Sequence, residues 1–288
     1  YARGLRRGTI VAQPEIKVVT DSSWAAVIDG GGGMGQLAAQ AGMRLALERA
    51  AEGGHGAVVV RNSTHCGAMA YYAMQAVPQR CIGFAVTNAG INMMPTGGRE
   101  KLVGNNPFAY AIPTGRDAPL VLDMATSVVA GGKLDMARLR GESIPLGWAL
   151  DMDGQPTTDP VAARQGALLP VGGPKGYGLA VVLDVLCGVL SGGRFGKGLG
   201  ARGSSHFFEA MQIEAFTAYD AFLARMGDLI DQLHACPPVE GVSGVVLPGE
   251  LEHHLRATRL REGLPLEETL LGELDTLAES LDAPAVPR

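Results

Sequence analysis

Apolar residues recur along this chain in two rhythms. Over residues 36–52, Leu37, Ala41, Leu45 and Ala46 form one stripe with Arg44, Glu48 and Arg49 opposite, which predicts a helix lying on a core. Short apolar runs at 24–28, 57–60, 82–87, 108–112 and 120–122 predict strands, separated by clusters of Asn, Gly and Pro. Helical spacing returns at 68–76, stopped by Pro78, and again at 125–140. The most apolar predicted helix spans 178–190. A long one follows over 213–234, where Phe216, Phe222, Met226, Ile230 and Leu233 share a face. Residues 151–160 read as exposed turns and 264–281 as an acidic amphipathic helix; no internal repeat is present.

Composition narrows the function classes. A chain of 288 residues with 47% hydrophobic and 18% charged residues buries a sizeable core, and its length predicts two lobes. The net charge of −5 argues against a nucleic-acid partner, whose binding rests on phosphate neutralisation. Cys66, Cys81, Cys187 and Cys236 form no Cys-x-x-Cys pair, so free thiols in the reducing cytoplasm and no metal site are expected. The best membrane candidate, 177–190, is short of the ~20 apolar residues a span needs and carries Asp184. The chain opens on Tyr1 without a signal peptide, so an N-terminal piece is expected to be missing.

The most informative segment is 172–178, Gly-Gly-Pro-Lys-Gly-Tyr-Gly, placed just before the apolar helix. Its glycines let a ligand approach the backbone and leave N–H groups to donate, and Lys175 adds a cation. A phosphate-bearing ligand is favoured there over a tight chain crossing. Gly30-x-Gly32-x-x-Gly35 also has the form of a dinucleotide fingerprint between a strand and a helix. Four consecutive glycines meet that pattern easily, and the next strand ends in Arg61 instead of an acid. A plain glycine turn is therefore the favoured reading. His65 lies where an apolar strand gives way to a helix, beside Arg61, Asn62, Ser63 and Thr64, a place where ligands gather in α/β folds; a hydrogen-bonded core histidine is the alternative. Gly104-Asn105-Asn106-Pro107 and residues 123–127, Asp-Met-Ala-Thr-Ser, border strands and offer small polar groups; local turn chemistry is the alternative for both.

Together these stretches, with Ile144-Pro145 and Pro-Thr-Thr-Asp-Pro at 156–160, resemble the type-2 malate/L-lactate dehydrogenases, in family order over about residues 1–250. The resemblance implies hydride transfer between NAD or NADP and a small 2-hydroxy or 2-oxo acid. It implies an α/β fold that is not of Rossmann type: a mixed, largely antiparallel sheet binding NAD(P), with an interleaved helical domain. Residues 1–60 would form the substrate side, 61–210 the NAD(P)-binding sheet, and 211–288 a helical segment packing back on the first lobe. A homodimer is implied, with neither nucleic acid nor membrane as partner.

By motif, His65 corresponds to a proton acceptor, and an imidazole, titrating near about 6.5, is suited to proton transfer at neutral pH. Asp123, Met124, Ala125, Gly173, Pro174 and Lys175 correspond to cofactor contacts, as do Gly249 and Glu250 in a later loop. Asn105 and Asn106 are assigned to the substrate or the carboxamide from their location. Ala89 stands where relatives place a serine toward the cofactor. An upstream Ser-His-Gly motif and arginine of the family are not in this chain, and 195–206 is shorter than the covering loop of relatives. Those departures motivate the alternative of a catalytically impaired nucleotide-binding or scaffold paralogue.

Overall fold

The structure is a computed structural model describing residues 1–199 and 203–287. It separates into a large unit, Tyr1–Gly249, and a small one, Glu250–Arg288. The large unit is built on a seven-stranded sheet. After the short helix α1 (Ala2–Arg6), strands β1 (Lys17–Asp21) and β2 (Ala25–Asp29) pair antiparallel. Helix α2 (Gly35–Gly53) then crosses back to β3 (His55–Ser63), which pairs parallel with β2. Helix α3 (Met69–Ala73) and a 3-10 turn, Met74–Gln79, lead to β4 (Cys81–Thr87). Strands β5 (Phe108–Ile112) and β6 (Leu120–Met124) follow.

Beyond them lie α4 (Gly131–Arg140), a two-residue pair of strands β7 (Ala149–Leu150) and β8 (Ala167–Leu168) flanking α5 (Pro160–Gln165), and α6 (Pro174–Asp184). A π-helical turn, Val185–Val189, extends α6. The last sheet strand, β9 (Ser204–Gln212), inserts between β3 and β4 and is antiparallel to both. Helix α7 (Tyr219–His234) ends the large unit's regular structure, and α8 (Glu250–Glu262) and α9 (Glu268–Glu279) make the small unit.

Strand order is β1-β2-β3-β9-β4-β5-β6, mixed and mostly antiparallel, with β2 and β3 as the parallel pair. Alternation along the strands sorts the core into two layers. Val58, Val60, Ala85, Ala109 and Phe208 face α2 and α3, burying Met43, Ala46, Met69 and Tyr72. Phe84, Val86 and Phe108 face the other way, against Leu183 and Cys187 of α6 and its π turn. A satellite core gathers Leu134, Ile144, Ala163 and Leu168 around α4 and α5.

Several expected elements differ in extent. The expected boundary at residue 60 falls inside β3, whose sheet unites strands from residue 17 to residue 212. The predicted helix at 125–140 begins only at Gly131, because Thr126 and Val128 donate their backbone amides to Asn105 and Leu169 instead. Pro78 does not stop the helix at residue 76; the chain tightens into a 3-10 turn that accommodates the proline. The predicted loop over 195–206 turns into β9 at Ser204; residues 200–202 within it lie outside the described residues.

Candidate active site

His65 sits two residues beyond the end of β3, exposed, with its Nδ1 in hydrogen-bond contact with the Tyr1 hydroxyl. With Nδ1–H donating to the Tyr1 oxygen, Nε2 of a neutral ring keeps its lone pair and can accept a proton. The neighbours of His65 are fastened individually. The Thr64 hydroxyl donates to the Gly33 carbonyl (2.9 Å) and accepts from the Gly35 amide (3.0 Å). The Tyr72 hydroxyl donates to the Cys66 carbonyl at 2.6 Å. Burial pushes the Cys66 thiol up to about 12, so it is no nucleophile despite its position.

The glycines at 30–35 serve this packing. A Cβ on Gly33 would stand 2.2 Å from Pro14, and one on Gly35 would stand 2.1 Å from the Thr64 carbonyl. Their missing side chains let three chain segments cross, which is the turn favoured over a fingerprint.

The residues that the resemblance assigns to the cofactor gather at the end of β6. The backbone amide of Ala70, in the first turn of α3, donates to Asp123 Oδ2 at 3.0 Å, tying β6 to the segment that follows His65. Met124 and Ala125 continue that strand end, both half-buried. Thr126 accepts from the Val171 amide at 2.9 Å, and Val171 in turn accepts from Gly176 at 2.9 Å. A Cβ on Gly176 would stand 2.9 Å from the Thr126 carbonyl, so glycine lets the first turn of α6 press onto the end of β6. Asp123, Pro174 and Lys175 are thereby brought to one region. Gly249 joins them, with φ 92° and its neighbour Pro248 accepting from the Val121 amide of β6 at 3.0 Å. Glu250 opens α8 in the small unit.

One expectation is corrected here. Three amides of the glycine turn are already engaged: Gly173, Lys175 and Gly176 donate to the carbonyls of Pro170, Gly172 and Val171. The tight turn consumes them. What it presents is the N-terminus of an eleven-residue helix, Gly173 with φ 62° and nothing within 4 Å of where a Cβ would stand, and the exposed Lys175 ammonium. Positive charge and helix dipole together suit a phosphate-bearing nicotinamide cofactor.

The two asparagines part company. Asn106 is wholly buried, its Oδ1 accepting from the Ala89 amide (2.9 Å) and its Nδ2 donating to the Ala180 carbonyl (2.8 Å), so its amide braces α6 against the loop after β4. Asn105 is half-buried and accepts from Asn92 Nδ2 at 3.0 Å. A cleft of about 480 Å³ borders the 61–64 segment, lined by Thr9, Asp29, Arg61 and Arg194 among others. Burial raises the Asp29 carboxyl, but donation from Gly31, Asn62 and Arg61 outweighs this and leaves it below the usual range.

Sequence reasoning missed Tyr1, whose contact with His65 spans 64 positions, and the buried polar group of Ser63, Thr87, Asn88 and His206 behind the histidine's segment. The only local signal for that group is its unusual density of small polar residues at strand ends.

The chain is similar to known dehydrogenases along nearly its whole length. A family model described as malate/L-lactate dehydrogenase matches residues 1–275. A malate dehydrogenase of Pyrococcus abyssi is 38% identical over 96% of this chain and 80% of that protein. A ureidoglycolate dehydrogenase (NAD(+)) of Escherichia coli O157:H7 is 33% identical, covering 94% of the chain and 79% of that protein. The solved structure of sulfolactate dehydrogenase from Methanocaldococcus jannaschii superposes with a TM-score of 0.89 at 36% identity, over 99% of this chain and 84% of that one. Nothing in these relatives supports the catalytically impaired alternative.

Proposed function

The chain belongs to the malate/L-lactate dehydrogenase family and is a dehydrogenase of small hydroxy acids that uses a nicotinamide cofactor, and we propose that His65 is its acid/base group and the β6–α6 junction its cofactor site. The cofactor, NAD or NADP, would lie on the mixed sheet instead of a Rossmann crossover, held by Lys175 and the N-terminus of α6, with Gly173, Pro174 and residues 123–125 shaping the contact. When bound, the nicotinamide gives or takes the hydride. In the oxidising direction His65 accepts the hydroxyl proton of the substrate as the carbonyl forms; in the reducing direction it returns it. The Tyr1 hydroxyl orients the ring so that Nε2 faces the reacting oxygen. Asn106 positions α6, and Asn105 lies nearer the ligand. Gly249, in the turn that leans on β6, completes the cofactor contacts.

The observation that carries this reading is the convergence of distant segments: α3 docks on Asp123 within five residues of His65, and α6 docks on Thr126 beside Lys175. Malate, sulfolactate and ureidoglycolate, the substrates named for relatives, share a 2-hydroxy carboxylate, and that unit is the proposed substrate class. The exposed Val182, Val185 and Leu190 on α6 and beyond fit burial against a second copy of the chain, a homodimer. Unpaired, buried thiols at Cys66, Cys81 and Cys187 fit a cytoplasmic location. Among the described residues no helix is long and apolar enough to cross a membrane.

A panel of 2-oxo acids with NADH and NADPH, read at the nicotinamide absorbance, tests the activity. His65→Ala is expected to lower kcat by about 10²–10⁴ with cofactor affinity unchanged; full turnover would remove His65 from the chemistry. Lys175→Ala is expected to raise the cofactor Kd about tenfold, ~1.4 kcal/mol. An unchanged titration would remove Lys175 from the site.

A further inference from the structure

We infer that His206 is a positioning residue for His65: one buried imidazole grips the chain on both sides of the acid/base histidine and sets where that side chain stands. The inference rests on the reading of His65 given above. His206 lies on β9 between β3 and β4 and is 0% exposed. Its Nε2 is 2.8 Å from the Ser63 hydroxyl, and its Nδ1 is 2.7 Å from Thr87 Oγ1 and 3.7 Å from Cys66 Sγ. Ser63 precedes His65 by two residues and Cys66 follows it directly.

The backbone shows why Ser63 can reach the ring. Val60 pairs with His206, but Ser63 pairs with Ser204, so the register between β3 and β9 slips by one residue. Asn62, at φ 51°, takes up the extra residue. In an uninterrupted strand Ser63 would point away from the face that carries Val60 and His206, because side chains alternate. The slip returns it to that face, where it is 1% exposed and meets Nε2. A bulge of this kind re-aims a side chain at the cost of a ladder bond. Here it re-aims a serine into a buried ring two residues before the candidate acid/base group.

Proton placement along the contact follows from the donors. Thr87 Oγ1 has the carbonyls of Asn88 (3.1 Å) and Ser205 (3.3 Å) as acceptors for its hydrogen, so His206 Nδ1–H donates to Thr87 and Ser63 O–H donates to Nε2. That arrangement needs an uncharged ring. Burial, followed by the charge of nearby His65, pushes His206 down to about 3, so the ring stays neutral where the enzyme works. The far end of the group is equally fixed. Asn88 accepts from the Ser205 amide (2.8 Å) and donates to Asp184 of α6 (3.0 Å). His206 is thus anchored on the cofactor helix's side and holds the His65 segment on the other. Ser63, Thr64 and Cys66 are all tied down, and His65 alone among residues 63–66 presents its side chain outward.

A misplacement of about 1 Å in a reacting group costs on the order of 10²-fold in rate, so the grip is expected to appear in turnover and not in binding. Three variants of the full chain test it. Ser63→Ala removes the tether on the His65 side and leaves the ring in place. His206→Asn retains the Thr87 contact alone, and His206→Gln retains reach to Ser63. The expected result is a fall in kcat of about tenfold for Ser63→Ala and His206→Asn, with the NADH or NADPH Kd, measured by fluorescence, within twofold of the parent. His206→Gln recovers most of the lost kcat. Should His206→Asn fail to fold, Ser63→Ala decides alone. A kcat within twofold of the parent for Ser63→Ala, alongside an inactive His65→Ala, overturns the positioning role while sparing His65. A fully active His65→Ala sinks the reading of His65 itself, whatever the other variants do.

Discussion

His65 and His206 sit on adjoining parts of one sheet, and their surroundings are opposite. The first follows the last residue of β3, is exposed, and touches a single hydroxyl, that of Tyr1. The second lies within β9, is wholly enclosed, and has both ring nitrogens engaged by side chains from β3 and β4. An imidazole that must exchange protons needs an open nitrogen and water-like solvation of its cation. An imidazole that must hold a backbone in place needs the reverse: two fixed partners and no tendency to charge. The same side chain does either job, and the enclosure decides which.

The acid side of the stability curve tests the enclosed ring most sharply. Because the folded His206 stays neutral down to about 3 while an unfolded histidine binds a proton near about 6.5, the unfolded state takes up more protons between those values. Stability linked to this ring is therefore present above about 6.5 and lost as pH falls toward about 3, at up to ~1.4 kcal/mol per pH unit. Denaturant midpoints measured from pH 7 to pH 4 are expected to fall less steeply in His206→Gln than in the parent. Equal slopes in the two would mean that the buried ring is not held neutral as described.

The next effect concerns the support beneath the exposed histidine. A side chain at Gly35 would collide with the carbonyls of Thr64 and His65. Gly35→Ala is expected to cost ~1–3 kcal/mol, as forced overpacking does, and to lower kcat as well, since it pushes on the His65 backbone. A stability loss with full turnover would show that His65 is not sensitive to its backbone position. The smallest effect is at Asp29, which accepts from the Gly31 amide and Asn62 at 3.0 and 2.9 Å and lies 3.6 Å from Arg61. Asp29→Ala is expected to cost ~1 kcal/mol in thermal or denaturant melts. Its carboxyl lies below the usual range, so this contribution is present at neutral pH and fades as pH falls through that lowered value.

Local pattern revealed those parts of the fold whose partners are close in the chain or whose faces are uniformly apolar. Strand β5 falls at the residues its apolar run marks, Phe108–Ile112, and α2 at its stripe. Strand β9 was hidden because Ser205, His206 and Glu209 break up its apolar residues. Ser205 and His206 are tolerated inside only because Asn88, Thr87 and Ser63, more than a hundred positions away, satisfy them. Strand β1 was hidden for the opposite reason: all of it is exposed, so no alternation marks it. The site divides in the same way. His65 and Lys175 stand out from their immediate neighbours, whereas Tyr1 and His206 acquire their places only when the sheet closes. Asn106 looked like a ligand contact because small polar residues beside a strand suit both a site and a buried brace, and only its two enclosed hydrogen bonds tell them apart.

The thiols described above bear on how this enzyme can be handled at the bench. Cys66, Cys81 and Cys187 are enclosed and held protonated by burial, while Cys236, just past α7, is exposed. A maleimide dye added to the native enzyme is therefore directed to one address far along the chain from the hydride-transfer machinery. Labelling needs no prior cysteine deletion, and uptake of further dye equivalents becomes a clock for the opening of the interior.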